Sequence, residues 1–113
     1  MKDGQPFMSF GLMGGSQQAQ GHAQVLVNII DLGANLQAAS DAARFSHAQA
    51  TNTLALESEL YRLVGSQLQA LGHHVIAANG DDMGGYQAIA FVPDAGVYRA
   101  ASDHRKDGQA AAW

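Results

Sequence analysis

Within these 113 residues the side chains able to do covalent or acid–base chemistry are few and scattered. Cysteine is absent, which removes disulfides, thiolate metal ligands and thiol nucleophiles together. The histidines His22, His47, His73, His74 and His104 fall at no zinc-ligand spacing. The adjacent pair His73-His74 sits where a helix should end, a place for a histidine to satisfy carbonyls or face water. Asp81-Asp82 lies in a glycine-rich loop without the alternating ligands and closing glutamate of a calcium loop. Neither a metal nor a cofactor is therefore expected. No serine stands in a nucleophile-elbow pattern, and Thr51 and Thr53 are the only threonines. Asp103 and Arg105 are placed to form a structural ion bridge, and Tyr98 and Trp113 read as isolated aromatics. The remaining feature is Gly14-Gly15, which interrupts a strand just before a helix. Taken alone the pair reads as a turn; glycines there also let backbone N–H groups approach a ligand closely.

The elements that must hold that pair follow from periodicity. Asp3-Gly4 is a hairpin-turn signal, and Phe7–Met13 reads as a strand with apolar residues on both faces. The turn should join it to a preceding strand, so the chain is expected to continue a longer upstream sequence. Gln18 to Leu32 reads as a helix with Val25, Leu26, Ile29, Ile30 and Leu32 near one apolar face, stopped by Gly33. Asn35 can cap a second, alanine-rich helix from Leu36 to Arg44. Thr53–Glu57 reads as a strand. Ser58 can cap a third helix, Glu59 to Leu71, with Leu60, Leu63, Val64, Leu68 and Leu71 inward. His74–Ala78 is a further strand, and Tyr86–Val92 and Val97–Ser102 pair as a hairpin across Pro93-Asp94-Ala95-Gly96. The tail from Lys106 is irregular. With no repeat and no linker, residues 1–113 read as one domain of α+β type, a mostly antiparallel sheet with about three helices.

Composition narrows the function classes. Hydrophobic residues make up 47% of the chain, enough for a folded core. A net charge of −4 and only 14% charged residues argue against a nucleic-acid surface, which needs clustered Lys and Arg. No apolar run approaches the roughly 20 residues of a membrane span. Nothing in the first residues looks like an export signal, and the compartment stays open.

Six segments, in order, resemble the small subunit of γ-glutamyltransferases and their acylase-like relatives. They are Asp3-Gly4-Gln5-Pro6 with the strand to Gly14-Gly15; Gln20-Gly21-His22-Ala23-Gln24-Val25-Leu26 running to Asp31-Leu32-Gly33; Asp41-Ala42-Ala43-Arg44-Phe45; Leu56-Glu57 and Leu71-Gly72-His73; Gly84-Gly85-Tyr86-Gln87-Ala88-Ile89; and Ala101-Ser102-Asp103-His104-Arg105 with Asp107-Gly108. The family commonly has Pro where Ala43, His104 and Met13 stand here. The stretch Ser16–His22 looks more like the acylase-like branch.

The resemblance implies part of an N-terminal-nucleophile hydrolase with a four-layer αββα fold. In such proteins a threonine freed by self-cleavage attacks a γ-glutamyl or acyl amide, and water or an amine resolves the acyl-enzyme. It also implies that the N–H groups of Gly14 and Gly15 form the oxyanion hole. No counterpart of the terminal threonine, its following paired serines or the substrate-gripping Arg and Asp is found. The expectation is therefore a chain that is inactive until joined to the nucleophile-bearing remainder of its parent. The alternative is a non-catalytic remnant or dimerisation module, since a strand that is apolar on both faces invites self-association.

Overall fold

The computed structural model describes residues 1–112, so Trp113 lies outside the described residues. Strand β1, Met8–Met13, alternates as a strand should: Phe10 and Leu12 turn to the packed side, while Phe7 and Met13 face outward. It pairs antiparallel with β5, Gly85–Val92, which pairs antiparallel with β6, Val97–Ser102. The order of this first sheet is β1-β5-β6. The link from β5 to β6 is a short 3-10 turn, Pro93–Ala95, closed by Gly96 at φ 64°.

A second sheet, in the order β2-β3-β4, is built from Phe45–Ala48, Thr53–Glu57 and His74–Ala78. β2 and β3 are antiparallel, and β3 and β4 are parallel. A parallel pair requires a crossover, and helix α3, Ser58–Ala70, supplies it.

Helices α1, Gln17–Ile30, and α2, Leu36–Asp41, cover the inner face of the first sheet. The core there is Leu12, Val25, Ala39, Tyr86, Ala88 and Ala101. Gly21 sets the approach of α1: a Cβ at this position would lie 2.8 Å from both δ carbons of Leu12. Only a residue without one lets the helix sit this close.

The expected three helices and mostly antiparallel strands are present, with the strands divided between two sheets. Helix α1 stops at Ile30 and not Leu32, and Ile30 and Leu32 are exposed and not on its packed face. Four further details differ from the sequence reading. First, α2 ends at Asp41 and not Arg44. Asn35 caps it as expected, its side chain accepting from Ala38 N at 2.9 Å. Arg44 N instead donates to Glu57 Oε2 at 2.6 Å, so it leaves the helix to enter an ion cluster. Second, Glu57 and not Ser58 takes the cap position of α3, with no side-chain cap bond. Third, Leu60, Val64 and Leu68 are the partly buried stripe of α3, while Leu63 and Leu71 are exposed. Fourth, Phe45–Ala48 forms strand β2 where the sequence pattern predicts no strand. Tyr98 is also not isolated, since its ring lies 5.1 Å from that of Phe91.

Candidate active-site turn

Pairing of β1 with β5 stops at Met13 opposite Gly85. Gly14 then takes φ 136° and Gly15 φ 58°, both in the region that favours glycine. The carbonyls of the two glycines are engaged: Gln17 N donates to Gly14 O and Gln18 N to Gly15 O, each at 3.1 Å. Their N–H groups donate to no atom of the described residues. Ser16 begins α1 without a side-chain cap bond. The turn therefore presents unspent, exposed backbone donors at the head of a helix, where the helix dipole favours negative charge.

Gly84, at φ 79°, lies under this turn. A Cβ at Gly14 would meet Gly84 Cα at 3.1 Å, and a Cβ at Gly84 would collide with the Met13 carbonyl and lie 2.6 Å from Leu12 Cδ2. Two glycine loops from opposite parts of the sequence thus support each other. Gly84-Gly85 lies within the segments that carry the family resemblance, but nothing in its local sequence announces this contact.

Behind Gly84 lies a cluster the sequence reading caught only in part. The expected Asp103–Arg105 bridge is present, with Arg105 Nη1 3.1 Å from Asp103 Oδ1. It belongs to a four-member network. Arg44 Nη2 is 2.7 Å from Asp103 Oδ2, and Arg105 Nε and Nη2 each donate to Glu57 at 2.6 Å. Arg44 Nη1 also donates to the carbonyl of Met83 at 3.1 Å, and Arg105 Nη1 to that of Ser40 at 2.8 Å. Two cations and two anions, all buried side chains, are closed on one another. Burial pushes the Asp103 carboxyl up, but the N–H groups of Arg105 and Tyr86 and the Arg44 guanidinium outweigh it and hold its pKa below the ordinary value. Burial likewise works against the charge of Arg105, and Glu57 and Asp103 outweigh it, raising its pKa. A signal was available. In a chain with so few charges, these four close or follow apolar elements within the segments that carry the family resemblance.

The remaining candidates stay apart. Thr53 Oγ1 lies 3.2 Å from His74 Nδ1 on the second sheet, and among the described residues no third group orients the imidazole. Among the described residues no three His, Asp or Glu side chains gather where a metal could be held. Among the described residues no helix is long and apolar enough to cross a membrane. A groove of about 830 Å³, lined by Pro6, Phe7, Leu36, Phe91 and Val92, opens at the far end of β1 from the glycines.

Comparison with known proteins agrees over the whole chain. The gamma-glutamyltranspeptidase family model matches residues 1–113. The glutathione hydrolase proenzyme of Escherichia coli (strain K12) is 32% identical over 113 residues, which are 100% of this chain and 19% of that protein. The chain thus spans about a fifth of the length of this curated relative. The cephalosporin acylase from Bacillus halodurans superposes with a TM-score of 0.92 at 37% identity, covering 100% of this chain and 21% of that one. The gamma-glutamyltranspeptidase from Pseudomonas nitroreducens complexed with L-DON gives 0.87 at 28% identity, covering 100% and 58%. The two sheets and three helices are accordingly a portion of the N-terminal-nucleophile hydrolase fold. The chain belongs to the gamma-glutamyltranspeptidase family.

Proposed function

We propose that this chain supplies the oxyanion-stabilising turn of an N-terminal-nucleophile amidohydrolase acting on γ-glutamyl or acyl amides, and that it turns over no substrate alone. One observation carries the reading: Gly14 and Gly15 are exposed residues whose N–H groups donate to no atom of the described residues while both carbonyls are engaged. A nucleophile from the remainder of the parent protein would add to the amide carbonyl. The developing oxyanion would take hydrogen bonds from the two glycines, and the C–N bond would then break to release the amine. Each such donor is worth roughly 3 kcal/mol in a transition state. The relatives are named as a glutathione hydrolase and a cephalosporin acylase, which supports both amide classes as substrates.

The chain alone is expected to release no chromophore from a γ-glutamyl anilide above a heat-killed control. Turnover there would overturn the reading. In the full-length protein carrying this region, Gly15→Pro should lower kcat about 10²–10³-fold with little change in KM. An unaltered kcat would remove the turn from the chemistry.

A second reading, an assembly module, draws on the outer face of the first sheet. Phe7, Met13, Ile89 and Tyr98 are exposed along it. Covering several hundred Å² at about 25 cal/mol per Å² supplies several kcal/mol. Sedimentation at micromolar concentration should show dimers or larger species, and a single monomeric boundary would dismiss association.

A further inference from the structure

We propose that Gln20 and Gln24 of α1 act as a strand surrogate that completes the open edge of β2, and so fix the Gly14–Gly15 turn at the head of α1 relative to the second sheet. Strand β2 has one strand neighbour, β3. Its far edge would otherwise present bare N–H and C=O groups at alternate residues. Two side-chain amides meet them. Gln24 Nε2 donates to Phe45 O at 2.9 Å while Phe45 N donates to Gln24 Oε1 at 2.9 Å. Gln20 Nε2 donates to His47 O at 3.0 Å while His47 N donates to Gln20 Oε1 at 2.8 Å.

A carboxamide carries two N–H donors and an acceptor oxygen, and one of its donors together with the oxygen matches the pair a neighbouring strand would offer. The second N–H of Gln24 donates to Gln20 O at 3.1 Å. The spacings agree. Residues four apart on a helix rise about 6.0 Å, and residues two apart on a strand advance about 6.6 Å. Helix and strand run in opposite senses, Gln20 meeting His47 and Gln24 meeting Phe45. The half-buried amides can satisfy both partners in only one orientation. Gln17, whose main-chain N–H closes the turn on Gly14 O, adds a third grip by donating to Phe45 O at 2.9 Å. The device recurs elsewhere: Gln37 of α2 donates to Ser102 O at 3.0 Å and accepts from Ser102 N at 3.3 Å, on the edge strand β6.

The purpose assigned here, positioning the turn, rests on the oxyanion reading. Its test is an exchange measurement on the chain, whereas that reading is tested by turnover, so either can fail without the other. Amide hydrogen exchange should show Phe45 and His47 protected in the unaltered chain. Gln24→Met and Gln20→Met keep side-chain volume and remove the paired bonds. Gln24→Met should speed exchange at Phe45, and Gln20→Met at His47, by about tenfold, the net worth of about one hydrogen bond. Ser46, between them, should be unmoved, and the Gly14 and Gly15 amide resonances should shift in both variants. Unchanged exchange at Phe45 and His47 overturns the surrogate. Release of those amides with unmoved glycine resonances overturns the positioning role. A uniform rise in exchange along the chain also overturns it, because the glutamines would then be general stabilisers.

Discussion

The glycine turn and the ion cluster lie on either side of Gly84 and treat their polar groups in opposite ways. In the cluster, Arg44, Glu57, Asp103 and Arg105 are closed on one another and on the carbonyls of Ser40 and Met83. At the turn, the N–H groups of Gly14 and Gly15 donate to no atom of the described residues. A buried charge without partners is costly, so a region built of charges must saturate itself. On the proposed oxyanion reading, the turn holds its donors back for a ligand. The two meet where Arg44 grips the loop on which Gly14 rests, so the saturated region fixes the backbone that carries the unsaturated one.

Removing one member of the cluster should have the largest effect. Arg44→Met strips Asp103 of its closest cation within a buried site, and breaking such a pair typically costs about 3–5 kcal/mol. Urea unfolding of the chain should show that loss, and a midpoint within error of the unaltered chain would mean the cluster is not closed in solution. Tyr86 comes next. Burial pushes its phenol up to about 12, with the Arg44 charge opposing the shift. The folded state therefore holds the phenolic proton more tightly than the unfolded chain does. The associated stability is fully present below the unfolded value near pH 10 and is lost as pH rises through about 12. The loss should be on the order of 2–3 kcal/mol. Among the described residues its hydroxyl has no hydrogen-bond partner, so Tyr86→Phe should be close to neutral at pH 7 and should flatten the alkaline limb of a stability–pH curve. An unchanged limb would show that the hydroxyl already reaches solvent. Gly84→Ala should cost about 1–3 kcal/mol, from φ 79° and the collision with Met13 and Leu12. Thermal unfolding measures it, and a melting temperature equal to that of the unaltered chain would separate Gly84 from the turn.

Local chemistry explains what could be read in advance. The limits of β3, β4 and β6 follow from short β-branched or apolar runs bounded by turn residues. The Asn35 cap and the Gly14-Gly15 break need only neighbours along the chain. What escaped depends on partners far away. Strand β2 shows no clear alternation, because none of its four residues is buried and neither face enters the core. Its far edge is met by glutamine side chains more than 20 residues upstream. The early end of α2 is decided by Glu57, 13 residues on from Arg44. The inward set of α3 was drawn too wide because a thin three-stranded sheet covers only the stripe through Leu60, Val64 and Leu68.

The division into two sheets also has a consequence for length variation. The first sheet is assembled from both parts of the chain, residues 8–13 and 85–102, whereas the second is contiguous, from Phe45 to Ala78. The second is thus spliced into the first as an internal module. The register that places Gly14 is set by pairs such as Met13 with Gly85 and Gln87 with Ser102, and no residue of the module takes part in those pairs. The exposed hairpin turn at residues 49–52, with Asn52 at φ 49°, lies at the tip of that module. Residues gained or lost there change the length of the protein without changing the frame in which the glycine turn is held.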